Sequence, residues 1–199
     1  MASVVHLVRH GEVENPHHTV YADLPGFNLS ARGRRQAAWA GSVLAPCRIA
    51  AVYTSPLDRA VQTASAIADR HELACKVVPD LTEWALMNRW RGVPWPELDR
   101  YRPGELDAYL TDPLRMDFSP ESVEQLAARI AGTVSDLAES HPDQEIAVVC
   151  HQDPIQAARL KLTGRSLALL HHAKPRHCEV FSLVPGAPWK ENARHAPAP

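Results

Sequence analysis

No apolar run in the 199-residue chain approaches the roughly 20 residues needed to span a bilayer. The start, Met1-Ala2-Ser3-Val4-Val5-His6, lacks a basic segment followed by an apolar stretch, so no signal peptide is expected. Cysteine is sparse. Cys47, Cys75, Cys150 and Cys178 stand far apart and form no CxxC pair. They are expected to be reduced packing residues of a cytoplasmic protein, not staples or a zinc site. A net charge of −2 offers nothing to attract nucleic acid or an anionic membrane surface. Lysine is scarce as well: Lys76, Lys161, Lys174 and Lys190 are the only four among 21 basic residues. The arginine that replaces it suits phosphate and carboxylate, but a GC-rich coding sequence gives the same bias.

Several catalytic signatures are missing too. The GxxxxGK[ST] run of a P-loop kinase is absent, and no HExxH or carboxylate-rich metal loop occurs. A cysteine phosphatase needs arginine six positions after its cysteine; those positions hold Tyr53, Leu81, Gln156 and Val184. Gly164-Arg165-Ser166-Leu167-Ala168 imitates a GxSxG elbow, but it follows a helix and lacks the final glycine. The pairs His17-His18 and His171-His172 are expected in loops, because adjacent histidines in a helix or strand point apart.

What is present suits one domain over residues 1–185, since apolar residues make up 45% of the chain and can fill a sizeable core. Strand candidates are Ser3–Val8, Ile49–Tyr53, Lys76–Val78, Ile146–Cys150 and Glu179–Leu183. Helices are expected after Ser30, after Ser55-Pro56, after Ser119-Pro120 and after Asp153-Pro154. Residues 84–120 hold most of the tryptophans and many prolines, and are expected to form an inserted lid or side layer with short helices. The Pro/Ala-rich stretch 186–199 is expected to be disordered. Strands alternating with helices imply a three-layer α/β/α sandwich around a mostly parallel sheet. Ligands of such sheets bind beyond the carboxyl ends of the strands.

Three strand ends carry chemistry. The first ends in Arg9-His10, and the second runs into a Ser-Pro start with Arg59 one turn into the next helix. The Ile146 strand ends at His151. Singly, a histidine at a strand end is more often structural and an arginine more often solvated. Placed together by parallel neighbouring strands, two arginines, two imidazoles with an unperturbed pKa of about 6.5 and nearby helix N-termini form a cationic site for phosphate.

These segments resemble the signatures of the histidine phosphatase superfamily, in its phosphoglycerate-mutase-like branch. Leu7-Val8-Arg9-His10-Gly11-Glu12-Val13-Glu14-Asn15 resembles RHGxTxxN. Thr54-Ser55-Pro56-Leu57-Asp58-Arg59-Ala60-Val61-Gln62-Thr63-Ala64 resembles SPLxRAxQTA, and Val149-Cys150-His151-Gln152-Asp153-Pro154-Ile155 resembles the VSHGGPI-like segment. Leu29–Ala37 is similar to the LTxxGxxQA helix, and Leu81-Thr82-Glu83 to the segment carrying an acid. The resemblance implies a phosphomonoester phosphatase of small-molecule substrates that works through phosphohistidine on His10, without metal or cofactor. It implies that Arg9, Arg59 and His151 hold the phosphoryl oxygens and that Glu83 is the proton donor, with Asp80 and Glu97 as alternative acids. Asn15, Gln152 and the backbone near Tyr21-Ala22 would complete the cradle.

Val13, Ala22 and Gln152 depart from the pattern, replacing threonine, a common glycine and a glycine. None of these changes removes a charged or nucleophilic group. Two other readings remain open at this level: a phosphoglycerate-mutase-type phosphotransferase, and a relative that binds a phosphorylated ligand without turnover. The segment from Trp84 to Trp95 is expected to shape the leaving-group pocket. Its Glu83-Trp84-Ala85-Leu86-Met87-Asn88 run lacks the ERHYG-like sequence that cofactor-dependent mutases of the family carry.

Overall fold

The structure, a computed structural model, describes residues 1–198. Six strands form one sheet: β1 (Val4–Arg9), β2 (Ile49–Thr54), β3 (Cys75–Val77), β4 (Glu145–Cys150), β5 (Val180–Val184) and β6 (Lys190–His195), in the order β3-β2-β4-β1-β5-β6. The first four are parallel, and β5 and β6 add an antiparallel edge. The mostly parallel α/β sheet expected from the sequence is therefore present.

Alternation along the strands sorts the core into two layers, because successive side chains of a strand point to opposite faces. Val5, Leu7, Ile146 and Val148 pack with Leu126, Ile130, Val134 and Ile155, from α6 (Val123–Glu139) and α7 (Gln152–Leu162). Val8, Val52 and Val149 pack on the other face against Ala37, Ala40, Leu44, Ala60, Ala64 and Ile67. Those residues belong to α1 (Ala31–Leu44) and α2 (Asp58–Ala68).

The helix starts differ from expectation in instructive ways. Ser30 caps α1 as expected, accepting from the Gly33 amide. Ser55 does not cap α2; Leu57 takes that position without a side-chain cap, and the Ser55 hydroxyl pairs with His151 instead. The cap of α6 is Ser122 rather than Ser119, because Ser122 and Gln125 form a reciprocal capping box that satisfies two amides at once. Asp153 and Pro154 lie inside the first turn of α7, which starts one residue after His151.

Residues 84–120 carry three short helices, α3 (Ala85–Arg89), α4 (Leu98–Tyr101) and α5 (Glu105–Thr111). The segment is packed into the main core, with Trp84 and Trp90 fully buried. Their indole N–H groups donate to the Glu121 carbonyl and the Glu105 carboxylate, each at 2.8 Å.

The expectation of a disordered stretch 186–199 fails over Lys190–His195, and residue 199 lies outside the described residues. Here β6 pairs antiparallel with β5, from Val180↔His195 to Val184↔Lys190. The polar sequence of β6 hides a strand that is held by backbone pairing and cross-strand charges, as edge strands often are. Glu191 accepts from Arg159 at 2.7 Å, and Arg194 pairs with the buried Glu179. Among the described residues no helix is long and apolar enough to cross a membrane.

Candidate active site

The parallel order β2-β4-β1 brings three strand ends side by side, as the ligand rule for such sheets requires. The His10 amide donates to the Cys150 carbonyl at 3.0 Å and the Ser55 amide to the Val149 carbonyl at 3.0 Å, so the strand exits are stitched together. Gly11 then passes close to α1. A Cβ there would come within 2.6 Å of the Gly33 carbonyl oxygen, and a Cβ on Gly33 would strike the Glu12 carbonyl. Only paired glycines allow this approach, which fixes the backbone directly after His10.

His10 is 1% exposed. Its Nδ1 lies 2.8 Å from the Gly11 carbonyl oxygen. A carbonyl can only accept, so Nδ1 carries the proton and Nε2 keeps the lone pair. Arg59 Nε donates to that Nε2 at 3.3 Å, and another Arg59 nitrogen donates to the Ala22 carbonyl at 2.9 Å. Ala22 sits at φ 42, a left-handed conformation that glycine adopts more easily. Tyr21 stacks on the Arg59 guanidinium, 4.6 Å from its ring centre.

Arg9 is anchored from the other side, donating to the Pro175 carbonyl at 2.8 Å and to His177 Nε2 at 3.0 Å. Its Nε is buried without a partner. The His151 ring stands edge-on to His10, with centroids 5.2 Å apart, and its Nε2 pairs with the Ser55 hydroxyl at 2.7 Å. His151 Nδ1 is also buried without a hydrogen-bond partner, 3.7 Å from Glu83 Oε2. Unpartnered buried polar atoms are costly and rare, and here they gather around one point.

Burial holds the pKa values of His10 and His151 well below the ordinary histidine range, and the nearby Arg59 guanidinium pushes in the same direction. Both rings are neutral near pH 7. Burial acts oppositely on Glu83, raising its pKa to about 7 against the opposing pull of Arg59, with Asp153 adding to the rise. Two kinds of titratable group thus have their affinities for protons moved towards each other's usual range, the arrangement acid–base chemistry needs.

A pocket of about 210 Å³ opens over these groups; Arg9, His10, Tyr21, Ala22, Glu83 and Gln152 line it, together with Met87, Trp95, Tyr109 and Asp153. Arg59 and His151 stand beneath, in contact with His10. Asp80 and Glu97 are exposed and lie outside the lining, so Glu83 is the acid of the three that reaches the pocket. Asn15 is not brought to it. Its side chain exchanges two hydrogen bonds with the Thr19 backbone, at 2.9 and 3.0 Å, and borders a neighbouring groove. Val13 is buried and bridges to Leu29.

A family model described as the histidine phosphatase superfamily (branch 1) matches residues 5–188. The chain belongs to that superfamily. An uncharacterized protein of Mycobacterium tuberculosis is 41% identical over 188 residues, covering 90% of this chain and 87% of that one. The glucosyl-3-phosphoglycerate phosphatase of the same organism is 30% identical over 170 residues, 78% of this chain and 74% of the relative. A solved structure of mycobacterial glucosyl-3-phosphoglycerate phosphatase complexed with VO3 superposes with a TM-score of 0.82 at 26% identity, covering 96% and 97% of the two chains.

The site of this superfamily member also holds contacts that the sequence pattern does not disclose. His177 lies in the loop before β5, yet its ring centroid lies 5.8 Å from that of His10. Arg9 can only donate, so His177 Nε2 accepts; burial lowers its pKa to about 3, reinforced by Arg9. Asp153, expected to cap a helix, instead accepts from the Tyr109 hydroxyl at 2.8 Å and pairs with Lys174 at 3.0 Å. The Glu83 loop is held from behind by Arg129, which donates to the Asp80 and Thr82 carbonyls at 2.7 and 3.2 Å and grips Glu121 at 2.7 Å. None of these contacts has a local pattern; each joins segments that are separated in sequence.

Proposed function

We propose that the protein is a metal-independent phosphomonoester phosphatase that works through a covalent phosphohistidine on His10. The observation that carries this reading is the Nδ1–H bond from His10 to the Gly11 carbonyl, which leaves a neutral, lone-pair-bearing Nε2 at Arg59. Phosphorus placed against Nε2 is attacked there, and its bond to the leaving oxygen breaks. The Glu83 carboxyl proton passes to that oxygen. In the second step a water attacks phosphorus and gives its proton to the Glu83 carboxylate. The N–P bond then breaks, restoring His10 and releasing phosphate. Charge in both transition states spreads over three phosphoryl oxygens; Arg9 and Arg59 neutralise it, and His151, with Nε2 accepting from Ser55, donates to it through Nδ1–H. The arginines supply the positive charge that a metal ion supplies in other phosphatases.

Hydrolysis rather than transfer to a second sugar acid is favoured by the side layer. A mutase must keep water from its phosphoenzyme, and residues 84–120 bring no lysine to clamp a returning substrate. The test is a panel of phosphomonoesters with released phosphate measured, with and without EDTA. Alongside it, 3-phosphoglycerate with catalytic 2,3-bisphosphoglycerate is followed for isomerisation. Phosphate release that survives EDTA and is blocked by vanadate is expected. Rapid isomerisation with negligible phosphate release would overturn the phosphatase reading, and activity that chelation removes and a divalent cation restores would overturn metal independence.

A further inference from the structure

The sheet has a second end, opposite the pocket, with its own cluster of reactive side chains. His6 is the third residue of β1, Glu145 the first of β4, and Cys47 lies in the connection from α1 to β2. Their ligand atoms all lie within 4.8 Å of one another. His6 Nε2 is 3.0 Å from Glu145 Oε2, and His6 Nδ1 is 2.9 Å from the Ser182 hydroxyl. His6 is buried, while Cys47 and Glu145 are half-buried, so the cluster is formed inside the fold and reached from its surface.

We propose that His6, Cys47 and Glu145 bind a divalent cation of the zinc type. An imidazole, a thiolate and a carboxylate together are the donor set of a borderline-soft ion; magnesium and calcium take oxygen alone. The cation takes the place of the proton between His6 Nε2 and Glu145, while the Cys47 thiol gives its proton to solvent. His6 Nδ1–H then donates to Ser182, the outer hydrogen bond that orients a metal-bound histidine. Water completes the coordination. The ion ties the α1–β2 connection to β1 and β4. It takes no part in the chemistry of the pocket, so its presence or absence is independent of the phosphatase reading.

Cobalt(II) is the probe, because thiolate ligation to it produces a near-ultraviolet charge-transfer band that oxygen and nitrogen ligands do not give. The purified full-length protein, stripped with chelator, is titrated with cobalt(II) and then with zinc(II) to displace it. The expected result is a single saturating site with the thiolate band, bleached by zinc. The melting temperature should rise with added zinc, since a ligand bound only by the folded state stabilises it. Cys47→Ser, at a half-buried loop position, should fold, lose the band and lose the zinc-dependent rise. Cys75→Ser, at another half-buried cysteine, should keep both. Ser182→Ala should keep the band with affinity lowered by about tenfold. A wild-type titration without a thiolate band, or a band that survives in Cys47→Ser, would overturn the proposal.

Discussion

The floor of the pocket and the side layer, which supplies Met87, Trp95 and Tyr109 as its wall, handle charge in opposite ways. On the floor, Arg9 and Arg59 direct their hydrogen bonds to carbonyls and imidazoles, those of Pro175, His177, Ala22 and His10; among the described residues no carboxylate forms an ion pair with either. In the side layer, Arg89 grips Glu105 through two bonds of 2.9 and 2.7 Å, and Trp90 donates to the same carboxylate. Arg129 and Glu121, behind the Glu83 loop, are paired in the same fashion. A buried cation without a counter-charge costs stability and is retained where an anion arrives. A cation with its carboxylate in place serves packing. On the proposed reading the floor takes the phosphoryl group, and the wall fits whatever carries it.

Substitutions should divide along the same line. The largest effect belongs to His10→Ala, which should lower kcat/KM by on the order of 10⁴-fold or more, as loss of a nucleophile does, without unfolding the protein. Next comes the pair that tests the contrast itself. Arg59→Ala should cost about 10²- to 10³-fold in kcat/KM, whereas Arg89→Ala should lower the melting temperature by a few degrees and leave kcat within about threefold. Steady-state kinetics beside thermal melts distinguish the two, and a reversed pattern would erase the distinction between floor and wall.

Glu83→Gln should be intermediate and depend on the substrate. Alkyl phosphates should slow by about 10²-fold and p-nitrophenyl phosphate by less than about tenfold, because nitrophenolate leaves without a proton. The Glu83 pKa of about 7 gives the sign of the pH effect. The acid form prevails below it, so the rate on alkyl phosphates should fall as pH rises through about 7, a limb the glutamine variant lacks. The same raised pKa means that ionising Glu83 in the folded state opposes folding once pH exceeds its unfolded value. Glu83→Gln should therefore be more stable than the parent at pH 8, by up to about 3 kcal/mol. Equal losses on both substrates with no pH effect would make Glu83 structural. The smallest change is expected from Tyr109→Phe, which removes one of the two partners of Asp153 and leaves Lys174; KM should shift severalfold between substrates while kcat holds.

How legible each region is in the sequence follows from how it is built. On the floor, chemistry and architecture coincide along the chain: Arg9-His10 ends β1, Arg59 sits in the first turn of α2, and His151 directly precedes α7. A strand that ends at a glycine turn or runs into a helix start is a local pattern, so the order of residues is enough to single these groups out. The contacts that brace the floor and build the wall have no such pattern. His177 reaches Arg9 across 168 positions, and Tyr109 reaches Asp153 across 44; their partners exist only once the chain is folded. Ser55 misleads for a related reason, since a hydroxyl that looks like a helix cap is claimed by His151. Strand β6 escapes notice because charged residues at a sheet edge mimic a solvated tail. The His6, Cys47 and Glu145 cluster has no signature because each member comes from a different part of the fold.

The central claim is that the floor receives phosphorus on His10 Nε2, and the phosphoenzyme tests it most directly. The protein is mixed briefly with ³²P-labelled substrate, quenched in alkali and digested, and the labelled peptide is located. Alkali-stable, acid-labile label is expected on the peptide containing His10, absent in His10→Ala and short-lived in the parent as water discharges it. Label on another residue, or full turnover by His10→Ala, would contradict it.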